Sequence, residues 1–190
     1  SQVMGIPLEN VTSSDRRKAK AVNFGIVYGI GAFSLSQDIG VTVAEADRYI
    51  KNYLNKYSGV SKYMETVVEN GKADGYVTTM FGRRRYIPEL SAQNKNIRNF
   101  GERVAKNSPI QGSAADIIKI AMVSVAKELK EKGIDAKLIL QVHDELLIEA
   151  HRDCADEAYN ILVNSMENAI KMAVPLDVDA HIGNNWYEAK

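Results

Sequence analysis

Along this 190-residue chain the apolar positions recur mostly every three or four residues, and in a few short stretches they alternate with polar neighbours. The first spacing predicts amphipathic helices and the second predicts half-buried strands. Asp15 stands where an N-cap would open a helix to about residue 29. Thr42 with Glu45 three residues on is a capping-box signature for a helix to about residue 57. A third helix is expected over residues 60–70. Residues 76–80 and 84–87, around Phe81-Gly82, read as a hairpin closed by Pro88. Residues 94–107 are expected to be helical and to stop before Pro109, whose ring disfavours helical backbone just ahead of it. A long helix over 113–132 ends at Gly133, and another over 153–172 is capped by Asp153. Between them, 137–142 and 145–149 form a second hairpin with His143-Asp144 at the turn. Residues 176–182 alternate Val178, Ala180, Ile182 against Asp177, Asp179, His181, which predicts a strand with one wet face. The pattern is that of a helix-rich α+β fold.

Composition narrows the classes. With 45% apolar and 25% charged residues, the chain can build one domain, or two small lobes, around a real core. No uninterrupted apolar run approaches the roughly 20 residues of a membrane span. The opening SQVMGIPLEN carries no export or organelle pattern, so the cytoplasm is the expected compartment. Cys154 stands alone, which excludes an internal disulfide, and the three histidines have no zinc-site spacing. The zero net charge hides a division. Residues 1–106 hold 16 Lys+Arg against 10 Asp+Glu, a balance of +6, while 107–190 hold 8 against 14, a balance of −6. A polyanion on the basic part and cations on the acidic part would suit that split.

Three constellations stand out. At about 100° per residue, Arg16, Lys20, Phe24 and Tyr28 share a sector of the first helix, opposite Ala19, Val22, Ile26 and Ile30. Two cations followed by two aromatics offer charges for phosphates and flat apolar surface for a base; the plain alternative is a solvated basic helix end. At the second hairpin, His143-Asp144-Glu145 crowns two apolar strands without the Asn-Gly or Asp-Gly pair that tight turns favour. Adjacent carboxylates there can present oxygens to Mg²⁺, or simply make a polar turn. Third, Arg98, Arg103, Lys106 and Asn107 lead into Gln111-Gly112-Ser113, a groove wall for nucleic acid or a surface helix and its cap. Arg83-Arg84-Arg85 adds a basic cluster beside the first hairpin. Gly29-Ile30-Gly31 lacks the third glycine of a dinucleotide fingerprint, and no P-loop is present.

Taken together, residues 15–29, DRRKAKAVNFGIVYG, resemble motif B of family A DNA polymerases, the bacterial DNA polymerase I type, and 141–145, QVHDE, resemble its motif C. Arg83-Arg84-Arg85, Arg103, Asn107 and Gln111 fall where that pattern expects them, and Asn185-Trp186 looks like its carboxyl terminus. The resemblance implies a fingers lobe over 1–90 and a partial palm over 91–190, with the antiparallel hairpin carrying catalytic carboxylates. It implies Arg16 and Lys20 on the incoming nucleotide's phosphates, Phe24 on its sugar and base, and Tyr28 toward the template. Asp144 would be a Mg²⁺ ligand supported by Glu145, with His143 near the primer terminus. Arg103, Asn107 and Gln111 would line the path of primer-template DNA. The implied chemistry is two-metal phosphoryl transfer from deoxynucleoside triphosphates. Nothing in residues 1–14 resembles the family's motif A, so a carboxyl-terminal piece that is inactive alone is expected. Its hairpin would lack a sheet neighbour, which opens the way to a dimer or strand swap. The reading from another class is a non-catalytic nucleic-acid-binding module retaining the polymerase surface. A single-subunit phage RNA polymerase matches 143–145 and the Gly25 and Gly29 context less well.

Overall fold

In the computed structural model, which describes residues 5–189, helix α1 spans Ser13–Val27 and its N-cap is Thr12, not Asp15. Asp15 is the third residue of the helix. Its backbone N–H donates to Thr12 Oγ1 at 3.2 Å, while its carboxylate accepts from the Thr12 N–H at 3.0 Å and from the Thr12 hydroxyl at 2.6 Å. The two residues thus close a reciprocal capping box. The same box forms where it was expected, at Thr42 and Glu45, opening α3 (Val43–Lys56). Between them lies a helix the pattern did not reveal, α2 (Ala32–Ile39), ended by Gly40 at φ 66°. Helix α4 (Ser58–Asp74) leads into an antiparallel hairpin of β1 (Tyr76–Thr78) and β2 (Arg84–Tyr86), followed by a 3₁₀ turn at Pro88–Ser91.

The long helix α5 (Lys95–Glu131) corrects the expectation of a break before Pro109 and of a separate helix opening at Gln111-Gly112-Ser113. Proline removes one donor and crowds the carbonyl of Ala105, at a cost of about 3 kcal/mol. Packing on either side outweighs it. Ala105 is buried with Val68, Val77, Ile87 and Leu90, and Ile118, Val125 and Leu129 anchor a second cluster farther along. Asn94 Oδ1 accepts from the Asn96 N–H at 2.8 Å, which starts the helix.

After α5 come β3 (Ala136–Val142) and β4 (Glu145–Ala150), an antiparallel pair. A 3₁₀ turn at Arg152–Cys154 and α6 (Ala155–Glu167) follow. Asp153 does not cap α6. It sits inside the turn, where its N–H donates to His151 Nδ1 at 3.3 Å. The helix also stops short of residue 172. Asn168 Nδ2 donates to the Asn164 carbonyl at 2.9 Å, and residues 171–175 are exposed, so nothing buried would continue it. The tail at 176–182 is a further correction. Leu176, Val178 and Ala180 are half-buried and Asp177, Asp179 and His181 exposed, as alternation predicts, but the segment pairs with no strand and Ile182 is exposed. Among the described residues the two sheets have two strands each.

The chain divides into two units, Ser1–Ile110 and Gln111–Lys190. In the first, Val22, Ile26, Leu35, Ile39, Ala46, Tyr53 and Met64 join α1 through α4. In the second, α5, β4 and α6 pack through Val125, Leu129, Leu146 and Ile161.

Candidate nucleotide face and carboxylate tip

Helix α1 is placed by its apolar side. Val22 and Ile26 are buried, which turns Arg16, Lys20, Phe24 and Tyr28 outward together. Phe24 is 46% and Tyr28 44% exposed, unusual for rings that the core had every chance to take. Their centroids lie 6.5 Å apart with planes only 17° from parallel, and Lys20 Nζ stands 5.7 Å from the centre of the Phe24 ring. The stripe inferred from spacing is therefore a continuous run of cation and aromatic surface.

Two glycines shape what surrounds it. A Cβ on Gly25 would meet Ile30 Cγ2 at 2.6 Å, so only glycine lets Ile30 fold back against the helix. Gly29 ends the helix at φ 71°, and its missing side chain admits Arg103, whose Cγ would lie 3.0 Å from a Cβ there. Arg103 thus reaches from α5 to the end of α1. A hollow of about 470 Å³ opens at this point, lined by Phe24, Tyr28, Gly29, Ser34, Asp38 and Arg103. Ser34 and Asp38 come from α2, and sequence reasoning missed them. The signal available was the bracket of Gly31 and Gly40 around the four-residue spacing of Leu35 and Ile39. One turn beyond Arg103, Asn107 keeps its Oδ1 buried without a hydrogen-bond partner. Gln111 is exposed and is the first residue of the second unit.

In the second unit the hairpin's apolar strands hold a polar tip. Val142 pairs with Glu145 and Gln141 with Leu146, leaving His143 and Asp144 as the turn. His143 takes φ 53°, the only positive value at a non-glycine among the described residues. A two-residue hairpin turn demands such backbone, which costs an L-residue roughly 1–2 kcal/mol. Gln141 Nε2 donates to the His143 carbonyl at 2.5 Å and holds the turn. Asp144 and Glu145 are exposed at the tip. As hard oxygen donors they suit Mg²⁺, which takes one or two protein carboxylates and completes its octahedron with water and phosphate. No group of three His, Cys, Asp or Glu side chains able to hold an ion exists among the described residues. Asp144 and Glu145 are therefore two oxygen-donor side chains at most of the several that such an ion takes.

Known proteins resemble this chain along its whole length. DNA polymerase I of Bacillus subtilis is 53% identical over 188 residues, matching 99% of this chain and 21% of the relative. DNA polymerase I of Lactococcus lactis subsp. lactis is 50% identical over 190 residues, 100% of this chain and 22% of the relative. The chain therefore spans about a fifth of the length of these relatives. A solved structure, the POL domain of Pol1 from M. smegmatis in complex with DNA primer-template and dNTP, superposes with a TM-score of 0.93 at 40% identity, covering 100% of this chain and 33% of that one. The model of DNA polymerase family A matches residues 1–188, and the chain belongs to that family.

Proposed function

We propose that this chain supplies the fingers lobe, residues 1–90, and a partial palm, residues 91–190, of a template-directed DNA polymerase. Its partners are then primer-template DNA and deoxynucleoside triphosphates, and its compartment the cytoplasm. The observation that carries the reading is the outward stripe of α1, with Lys20 over Phe24 and Phe24 stacked with Tyr28. Charge and ring follow each other there in the order of a nucleotide's phosphates and base.

In this reading Arg16 and Lys20 hold the triphosphate, Phe24 packs on the sugar and base, and Tyr28 faces the template. Arg103, Asn107 and Gln111 line the path of the DNA, and His143 approaches the primer terminus. Asp144 would hold Mg²⁺ with support from Glu145. When bound, the ion supplies compensation for phosphoryl charge that side chains alone do not. The residues' own work is to orient the triphosphate and to keep the carboxylate oxygens forward on a rigid turn. One tip is only part of the donor set that two-metal transfer needs, so these 190 residues alone are expected not to extend a primer.

The test replaces the matched segment of the Bacillus subtilis enzyme with residues 1–188 of this chain. The graft should extend a primer, Asp144→Ala should reduce extension by at least about 10²-fold, and Lys20→Ala should raise KM for the nucleotide. Extension that survives Asp144→Ala would overturn the reading. We extend the proposal to association between copies. Ile139 and Leu140 on β3 are 51% and 41% exposed in a sheet that has two strands among the described residues, an apolar edge that a second copy can pair with. Sedimentation at rising concentration should show dimer, and a monomer throughout would remove it.

A further inference from the structure

The outward turn of α1 has a polar fixing point besides its apolar side. The Tyr53 hydroxyl, carried by α3, donates to Asn23 Oδ1 at 2.6 Å, across 30 residues of chain. Tyr53 is 8% exposed and belongs to the same buried cluster as Val22 and Ile26, while Asn23 is exposed. The tyrosine is itself firmly held. It stands near the end of α3, and its ring meets that of Tyr57 at 4.8 Å with planes 52° apart. Burial first, and then Tyr57, push its hydroxyl above the ordinary value of 10.0, so it remains protonated and able to donate.

A phenylalanine would fill the same space without needing a partner, so the hydroxyl calls for a reason. The contacts of Val22 and Ile26 are apolar and non-directional, and they tolerate small rotations of a helix. An O–H···O bond does not, since it weakens steeply as its angle departs from the best geometry. Asn23 is well placed to use that difference. It follows Arg16 by seven residues, nearly two full turns, and so lies beside Arg16 and Lys20 on the helix surface, at the border between stripe and core. Phe24 is the next residue. Gly25 comes after it and lowers the intrinsic stability of the helix just there, which adds to the value of an outside tie. With side chains about 5–6 Å from the axis, a rotation of about 20° would carry the stripe roughly 2 Å sideways. Arg16 and Lys20 end long stems that can follow a phosphate over such a distance. The Phe24 ring, on only two torsions, has no such reach.

We propose that Tyr53 is a positioning residue for the nucleotide face: its hydroxyl, acting through Asn23, fixes the rotation of α1 at which Phe24 meets the sugar and base of a deoxynucleoside triphosphate. The proposal rests on the nucleotide-holding reading of α1 given above, and names within it the residue that sets the stripe. The experiment follows the amide signals of the isotope-labelled 190-residue chain by NMR as dATP, or inorganic tripolyphosphate, is added at low salt without divalent cation. Tripolyphosphate carries the charge and neither sugar nor base. Tyr53→Phe keeps the buried ring and leaves Asn23 Oδ1 to water, so the fold is retained, and thermal melting of each variant accompanies the titrations. Tyr53→Phe should weaken dATP about fivefold, the lower end of what one stacked base contributes, and change tripolyphosphate less than about twofold. Asn23→Ala should show the same split. In the double variant the dATP loss should equal that of either single change, because two residues acting through one bond are not additive.

Equal dATP affinity in the parent chain and Tyr53→Phe would overturn the positioning role and leave the nucleotide reading standing. An equal loss for dATP and tripolyphosphate would do the same, since a hydroxyl that serves only the fold weakens both together. Additive losses in the double variant would overturn the route through Asn23. A parent chain that binds neither compound would remove the positioning role, and with it the nucleotide-holding reading on which it rests.

Discussion

Asn107 carries a cost to stability in one atom. Its Oδ1 is buried without a partner, and an orphaned buried acceptor costs about 1–3 kcal/mol. A leucine of similar shape carries no such acceptor. Asn107→Leu is therefore expected to leave the melting temperature unchanged or raise it by a few degrees, while weakening binding of primer-template DNA if the amide meets the nucleic acid. Thermal denaturation and a DNA titration on the same preparation check both halves. A lower melting temperature would mean that the amide serves the fold instead. Spacing alone could place Asn107 on the same face as Arg103, since four residues nearly complete a turn. It could not show that the amide is buried, because burial depends on groups distant in sequence. Gly29 divides similarly. Its place at a helix end was visible, but that its bare backbone makes room for Arg103 required the structure.

Elements were legible where their signals were local. Thr42 and Glu45 make their box within four residues, the first hairpin shows itself by Phe81-Gly82 at its turn, and the second by two apolar runs on either side of a polar tip. The same logic fails where distant packing decides, as at Pro109, which a break signal marks and two buried clusters override. The caps predict a pH response. Hydrogen bonds from the Thr12 side chain, and then its backbone, hold the Asp15 carboxyl below its ordinary value of 3.8. The Thr42 backbone, and then its side chain, do the same for Glu45, ordinarily 4.5. A depressed carboxylate contributes stability above its unfolded value and loses it as pH falls through the folded one. From about pH 5 downward the first turns of α1 and α3 should therefore loosen, seen as falling protection of the Thr12 and Thr42 amides relative to their intrinsic exchange rates at each pH. Asp15→Ala should remove that response at Thr12 and leave it at Thr42. Packing between elements predicts opposite signs for one substitution. A Cβ on Gly101 would lie 2.9 Å from the backbone at Glu89 and Leu90, so Gly101→Ala should destabilise by about 1–3 kcal/mol in urea unfolding. Gly59 in α4 has nothing within 4 Å of its Cβ direction, and Gly59→Ala should stabilise by about 0.5–1 kcal/mol.

At the scale of the whole molecule, the charge division seen along the chain coincides with the two structural units. Residues 1–110 hold 16 Lys+Arg against 10 Asp+Glu, and 111–190 hold 8 against 14, giving +6 and −6. The charge change after residue 106 and the break signal at Pro109 both lie beside that boundary, although α5 runs through it without interruption. A chain of this kind attracts a polyanion with one unit and repels it with the other until cations intervene. Repulsion from the Asp144 and Glu145 tip is then a removable term. Without divalent cation and at low salt, Asp144→Asn should tighten binding of primer-template DNA severalfold, because one carboxylate charge is gone while the tip keeps its shape. Mg²⁺ should tighten the parent chain by a similar factor and the variant by less. Both differences should shrink as added salt shortens the screening length from about 30 Å at 0.01 M to about 10 Å at 0.1 M. Anisotropy titrations of the two chains across that range, with and without Mg²⁺, carry the test. If Asp144→Asn binds DNA no more tightly than the parent at the lowest salt, the carboxylate tip does not meet the nucleic acid, and its role as the ion-bearing side of the site falls with that result.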